Sequence, residues 1–184
     1  MTNPSHWSMA ALLLLCVSNR TAYARLLFEG EPGARSPNGH YYANPGPKEK
    51  TTQVFRRLPG KKPEMIWEKP GWLEATFVSD DGEYLVSGEF CERNLPPKYD
   101  PDLVIATFYR RSTVIGSVRA RDIILEPKRL ERGYRKRLFW GRCIDFLPGN
   151  RFVIDTWELR QYTFDATTGK LLETVPIGGI PMID

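Results

Sequence analysis

The sequence predicts an all-β fold in which antiparallel hairpins form two four-stranded sheets, packed sandwich-like and joined by a short, partly helical connector. Two observations carry this prediction. β-prone runs of strand length recur along the chain, and turn signals such as Asp81-Gly82 and Pro148-Gly149-Asn150 separate them. Asp-Gly supplies the positive-φ residues that a tight hairpin needs.

Along the chain, Ala75 to Phe90 is the first hairpin, with β-rich arms around Asp80-Asp81-Gly82. Leu103 to Tyr109, the tripeptide RRS and then TVIGSVRA form the second. Arg142 to Trp157 repeats the first pattern, and Leu159 to Ile177 is the fourth hairpin, closed by Asp165 to Gly169. The turn glycines Gly82 and Gly149 hold matching places in the two units. Between the units, RARDIILEPKRLERGYRKRLFWG has room for one or two helical turns, with Asp122 as a cap, Pro127 opening the second and Gly133 stopping it. Upstream, residues 25–50 are dense in Gly, Pro and polar side chains and read as an irregular surface arm, because Pro lacks an amide N–H and Gly loses most entropy when fixed. TTQVFRRL and EMIWE, flanking LPGKKP, form a further half-unit. The domain reading is therefore a segment 1–24, an arm 25–50 and a single β domain 51–184.

Two turns carry a resemblance. SDDGEYLVSG resembles the S-x-D-G-x-x-L/V turn of WD40-type and related β-propeller blades, and FDATTGKLLETVPI resembles the D-x-x-T-G-K turn that closes a blade in YVTN and quinoprotein-like propellers. The motifs encode turns between strands, so what they imply is a blade-like sheet and no activity. Closed propellers use four or more blades. Two blade-like units and a half-unit imply an open blade pair, or a degenerate propeller that works only in an assembly.

Residues 1–24 read as a signal peptide. Met9 to Val17 is an apolar run of about nine residues, too short to span a bilayer as a helix, and Ala22-Tyr23-Ala24 gives the small-x-small pattern for cleavage after Ala24. Two alternatives remain open: a buried N-terminal helix, and a lipoprotein cut before Cys16. No later segment is long and apolar enough to cross a membrane as a helix, so the processed chain is expected not to span one. Localisation is accordingly expected to be secreted or periplasmic.

Processing removes Cys16 and leaves Cys91 and Cys143 as a pair. In an oxidising compartment an even pair points to a disulfide, worth roughly 4 kcal/mol in the chain-entropy model; two separate buried thiols are the alternative.

No residue set specifies a reaction, and no cofactor or metal is expected. After processing, His40 is the one histidine, within the arm, so triad or His/Cys metal chemistry has little to work with. Asp80, Asp81, Asp100 and Asp102 are turn residues by pattern; a carboxylate-dependent glycan hydrolase built on such groups is the alternative function. Trp67, Trp72, Trp140 and Trp157 are expected mostly in the core, with Trp72, after Pro70-Gly71, the one most expected at the surface.

Charge supplies the remaining signal. Of 26 Lys and Arg residues, Arg20 leaves with the signal segment, so 25 face 22 acidic residues. Residues 119–142 alone hold nine basic and three acidic residues. Arg129, Arg132, Arg135, Lys136, Arg137 and Arg142 form a candidate anion-binding surface near Tyr134, Phe139 and Trp140. Guanidinium groups favour carboxylate and phosphate partners. The expected partner is an anionic envelope component or an acidic protein, with nucleic acid not expected in an exported chain. The functional expectation is a non-catalytic binding or structural module of the envelope or secreted fraction.

Overall fold

The computed structural model describes residues 34–46, 50–91, 94–130 and 137–177. Residues 1–24, read from sequence as a signal peptide, and Arg132, Gly133, Arg135 and Lys136 lie outside them. The described chain forms three four-stranded antiparallel sheets, each an up-and-down meander. The first contains β1 (Ala34–Arg35), β2 (Tyr41–Gly46), β3 (Thr51–Arg56) and β4 (Glu64–Pro70). The second contains β5 (Thr76–Val78), β6 (Tyr84–Ser87), β7 (Val104–Arg110) and β8 (Thr113–Arg119). The third contains β9 (Gly141–Leu147), β10 (Arg151–Thr156), β11 (Arg160–Asp165) and β12 (Lys170–Pro176). The strand β5 touches β1 and β2 on one side and β9 on the other, so the leading strands adjoin in the manner of propeller blades.

The all-β, propeller-like expectation holds, but there are three blade-like sheets where the sequence reading counted two. The extra sheet joins residues 34–46, expected to be irregular, to the half-unit that follows. Its opening turn explains how a Gly/Pro-rich stretch becomes ordered. Ser36-Pro-Asn38-Gly39-His40-Tyr41 folds as Ser79-Asp-Asp81-Gly82-Glu83-Tyr84 does. In each the serine Oγ accepts the tyrosine N–H, at 3.0 Å from Tyr41 and 2.9 Å from Tyr84. The serine hydroxyl donates to the next polar side chain, Asn38 Oδ1 at 2.8 Å or Asp81 Oδ1 at 2.6 Å. That oxygen accepts a further amide, from His40 or Glu83, at 2.9 Å. The glycine sits at φ 72° in both turns, where a side chain would be strained. Side chains thus satisfy the turn amides that would otherwise favour solvent. Pro45 is tolerated because β2 has outrun the two-residue β1, which reaches only Ala43.

The second sheet lies between two apolar clusters. Between it and the third sheet are Phe77, Val86, Phe108 and Val118 against Cys143, Phe146, Phe152, Ile154 and Phe164. A smaller cluster joins it to the first sheet, with Ala43 and Val54 meeting Val78, Leu85 and Tyr109. Backbones approach closely at one further point. A Cβ on Gly116 of β8 would lie 2.9 Å from the Cα of Gly169, and one on Gly169 would lie 2.8 Å from the Cα of Gly116. The glycine of the D-x-x-T-G-K turn is therefore fixed by packing as well as by its φ of 71°.

The connector has the expected partial helicity. A single turn, α1 (Ala120–Ile123), is followed by a 3₁₀ turn opened by Pro127 (Pro127–Arg129). Asp122 sits inside α1, where its carboxylate accepts the Arg119 N–H at 2.8 Å.

Candidate binding surface at the long-loop end

In each meander alternate connections share one end, so the turns 36–40, 79–83, 111–112, 148–150 and 166–169 lie at one end and the connections 88–103 and 157–159 at the other. The short-turn end is tied across sheets. The Asn38 N–H donates to Asp80 Oδ1 at 2.7 Å, and Asn150 Nδ2 donates to Asp81 Oδ2 at 3.1 Å. The Asp81 carboxyl is held below the usual carboxylate range: desolvation pushes it up, but bonds from the Ser79 hydroxyl, the Glu83 amide and Asn150 prevail.

At the opposite end, the described residues of two long connections, 88–91 with 94–103 and 120–130 with 137–140, meet. Cys91, at the end of a 3₁₀ turn (Glu89–Cys91), is disulfide-bonded to Cys143 of β9, with Cα atoms 4.8 Å apart. Leu95 and Leu138 exchange both backbone hydrogen bonds at 2.9 Å. Trp140 is fully buried, and its Nε1 donates to the Phe90 carbonyl at 3.1 Å. Asp102 accepts ion pairs from Arg119 at 3.1 Å and Arg121 at 2.6 Å. Loops carry binding functions when a rigid scaffold positions them, and the described loop residues are tied to it by the Cys91–Cys143 bridge and the Leu95–Leu138 pair.

The surface they present is partly apolar. Phe139 and Trp157 stand edge to face with centroids 5.5 Å apart, both exposed. Leu159, two residues on, is exposed at φ 55°, an uncommon conformation for a bulky side chain. Leu125 is exposed as well, and the next residue's amide, Glu126 N–H, donates to Glu158 Oε1 at 2.6 Å. Beside this runs a cleft of about 330 Å³ lined by Tyr99, Pro101, Arg121, Ile124, Leu125 and Pro127.

The described basic residues do not sit on one bare patch. Arg129 pairs with Glu126 at 2.9 Å, a contact that raises the guanidinium pKa. Arg137 Nη1 donates to the Asn94 carbonyl at 3.4 Å. Arg142 is exposed on β9 directly across from Asp155. The four aspartates separate into two pairs at opposite ends of the second sheet. Asp80 and Asp81 bind turn groups, while Asp100 Oδ1 accepts the Asp102 N–H at 2.8 Å and Asp102 holds its two arginines.

Of the tryptophans, Trp140 is core and Trp67 donates Nε1 to the Gly82 carbonyl at 2.7 Å. Trp72 is about half exposed, as its place after Pro70-Gly71 predicts. Sequence reasoning missed the part played by 88–103. The signal available was its length between two strands, since connections within a meander are otherwise about two to five residues.

No family model matches the chain. No curated protein matches it either. Solved structures do match in part. One is the KlAtg21 complex with the coiled coil of AgAtg16, at 10% identity and TM-score 0.44, covering 82% of this chain and 43% of that one. The Cps50 (Swd1) β-propeller domain of Myceliophteria thermophila matches at 10% identity and TM-score 0.39, covering 97% and 48%. The C-terminal WD40 domain of Sif2 matches at 10% identity and TM-score 0.35, covering 81% and 37%. The chain spans less than half the length of each of these structures. The propeller-like assignment rests on the strand order and sheet contacts of this chain itself.

Proposed function

We propose that this chain is an exported, non-catalytic binding module whose long-loop end receives an anionic envelope component or an acidic protein. The ties between described residues of the long connections, Leu95 to Leu138 and Trp140 to Phe90, carry the reading, because preorganisation lowers the entropy cost of binding. The exposed Phe139–Trp157 pair supplies the kind of rigid aromatic anchor on which interfaces depend. Export is supported by the N-terminal signal pattern and by the Cys91–Cys143 bridge, a bond that persists in oxidising compartments. The four aspartates serve turns and ion pairs, and no observation favours the hydrolase alternative.

Two measurements test the proposal. N-terminal sequencing of the protein from the exported fraction should begin at Arg25; a product that keeps Met1 and stays in the cytosol sinks the export reading. Retention of the processed protein on immobilised dextran sulfate should fall as salt rises. The double substitution Phe139→Ala with Trp157→Ala should reduce retention severalfold without altering the fold. Equal retention of both proteins would place binding elsewhere.

A further inference from the structure

The opening turns of the first and second sheets share one local structure and differ in one atom. Asn38 Oδ1 and Asp81 Oδ1 make the same bonds, each accepting a serine hydroxyl and the amide two residues on. The second polar atom of each side chain reaches across to another sheet. Asp81 Oδ2 meets a donor, Asn150 Nδ2, at 3.1 Å. Asn38 Nδ2 meets an acceptor, the Asp80 carbonyl, at 2.9 Å, while the Asn38 N–H donates to the Asp80 carboxylate at 2.7 Å. An aspartate at position 38 would therefore keep the bonds inside its turn, as Asp81 does. It would also set an oxygen against the Asp80 carbonyl and a negative charge beside the Asp80 carboxylate. Asn38 is the only asparagine in the sequence followed by glycine, and it is exposed. A Cβ on Gly39 would meet nothing within 4 Å, which leaves that side of the Asn38-Gly39 peptide open.

We propose that Asn38 is a modification site, at which spontaneous deamidation unlatches the first sheet from the second. Asparagine is a chemically labile residue, and glycine after it leaves the attacking amide unhindered because it has no Cβ. The Gly39 amide nitrogen, having given up its proton, attacks the side-chain carbonyl carbon of Asn38. The new C–N bond closes a cyclic imide, and the side-chain nitrogen leaves as ammonia. Water then adds to either imide carbonyl and breaks its C–N bond, giving aspartate or its isomer linked through the side-chain carboxyl. Water is the only co-reactant. The fold gates this reaction. The Gly39 N–H donates to the Ser36 carbonyl at 2.8 Å, and hydrogen bonds to Ser36, His40 and Asp80 hold the Asn38 side chain. Ring closure must break these bonds, so its rate follows the opening of the first sheet. The product lacks the donor to the Asp80 carbonyl, so each conversion makes further opening easier. The second turn is spared the same loss, because its cross-sheet neighbour is a donor that suits a carboxylate.

Incubation of the full chain at mildly alkaline pH, followed by peptide mass mapping, should convert Asn38 to aspartate and its isomer well before Asn94 or Asn150. Native-state hydrogen exchange on the Asn38→Asp variant reads the consequence. Amides of β2 and β3 should exchange several-fold faster than in the unsubstituted chain, while those of β10 and β11 keep their protection. The third sheet thus reports within the same sample that the variant is folded. An Asn38 that stays intact, or converts no faster than Asn94 and Asn150, overturns the modification site. First-sheet exchange equal to that of the unsubstituted chain overturns the unlatching. Loss of protection in β10 and β11 as well overturns it too, since the charge would then unfold the chain instead of parting one junction.

Discussion

The junction between the second and third sheets and the junction between the first and second use the same blade geometry and hold it by different means. In the former, Phe152 meets Phe77, Phe108 and Phe146 with centroids 5.2, 5.9 and 5.4 Å away, beside a buried tryptophan and a disulfide. In the latter, four aliphatic residues and Tyr109 are supplemented by polar ties, Trp67 to the Gly82 carbonyl and Asn38 to Asp80. Burial energy scales with apolar area, so the two junctions should differ in strength although their backbones match. The first sheet should open at lower free energy than the rest, and its amides should exchange first in native-state hydrogen exchange.

The largest effect that tests this contrast is cavity formation in the aromatic junction. Phe152→Ala should cost about 3–5 kcal/mol in denaturant unfolding and lower protection throughout the second and third sheets. Leu85→Ala, in the thinner junction, should cost about 2–3 kcal/mol and chiefly expose the first sheet. Equal costs, with equal spread of exchange, would break the contrast.

Next comes the bridge. Cys91 and Cys143 are 52 residues apart in sequence, a closure worth about 4 kcal/mol in the chain-entropy model. Replacing both with Ala should therefore remove a few kcal/mol, by loosening the long-loop end. Thiol titration of the unfolded, unreduced processed protein should detect no free thiol, and two free thiols would contradict the bridge.

Much of this was legible in sequence because turns and strand alternation are local. The hairpins around Gly82 and Gly149, the closing turn at Gly169 and the pairing of Cys91 with Cys143 all announce themselves within short windows or by simple parity. The first sheet was not legible in that way. Gly39, Pro45 and Gly46 lower local β propensity, and what restores order is side-chain capping by Ser36 and Asn38. The motif Ser-x-Asn/Asp-Gly-x-Tyr was present twice, at 36–41 and 79–84, and its repetition was the available signal. The binding surface was less legible still. Phe139, Trp157 and Leu159 are ordinary core residues by type, yet all three are exposed.

A third effect sharpens the thin junction. Gly82 has φ 72°, and a Cβ there would lie 2.4 Å from the Tyr41 ring and 2.9 Å from Ile66. Gly82→Ala should thus combine backbone strain with a clash, costing about 2 kcal/mol. Gly149 has a similar φ of 79° but open space around it. Gly149→Ala should cost about 1 kcal/mol from backbone strain alone. If the two substitutions cost the same, the approach of Tyr41 to the second turn contributes nothing to the junction.

The smallest effect is electrostatic and concerns the turns that join the sheets. The folded Asp81 pKa lies below its unfolded value, about 3.9, because the ionised form receives bonds from Ser79, Glu83 and Asn150. A depressed folded pKa stabilises the fold above the unfolded value, and that contribution is lost as pH falls through the folded one. Acidification from about pH 5 should therefore reduce stability. Asp81→Asn should flatten this part of the profile, at a neutral-pH cost of no more than about 1 kcal/mol because water screens a group this open. Asp165 has a pKa lowered in the same direction, but its ties run to Thr167 and Thr168 within its own turn. Asp165→Asn should flatten the acid limb as well while leaving exchange in the second sheet's first turn unchanged. Asp81→Asn should quicken exchange at that turn and at the third sheet's turn carrying Asn150, because Asp81 alone of the two carboxylates bridges sheets. If both variants alter exchange only within their own turns, the Asp81–Asn150 tie does not couple the second and third sheets, and their union rests on the aromatic cluster and the disulfide.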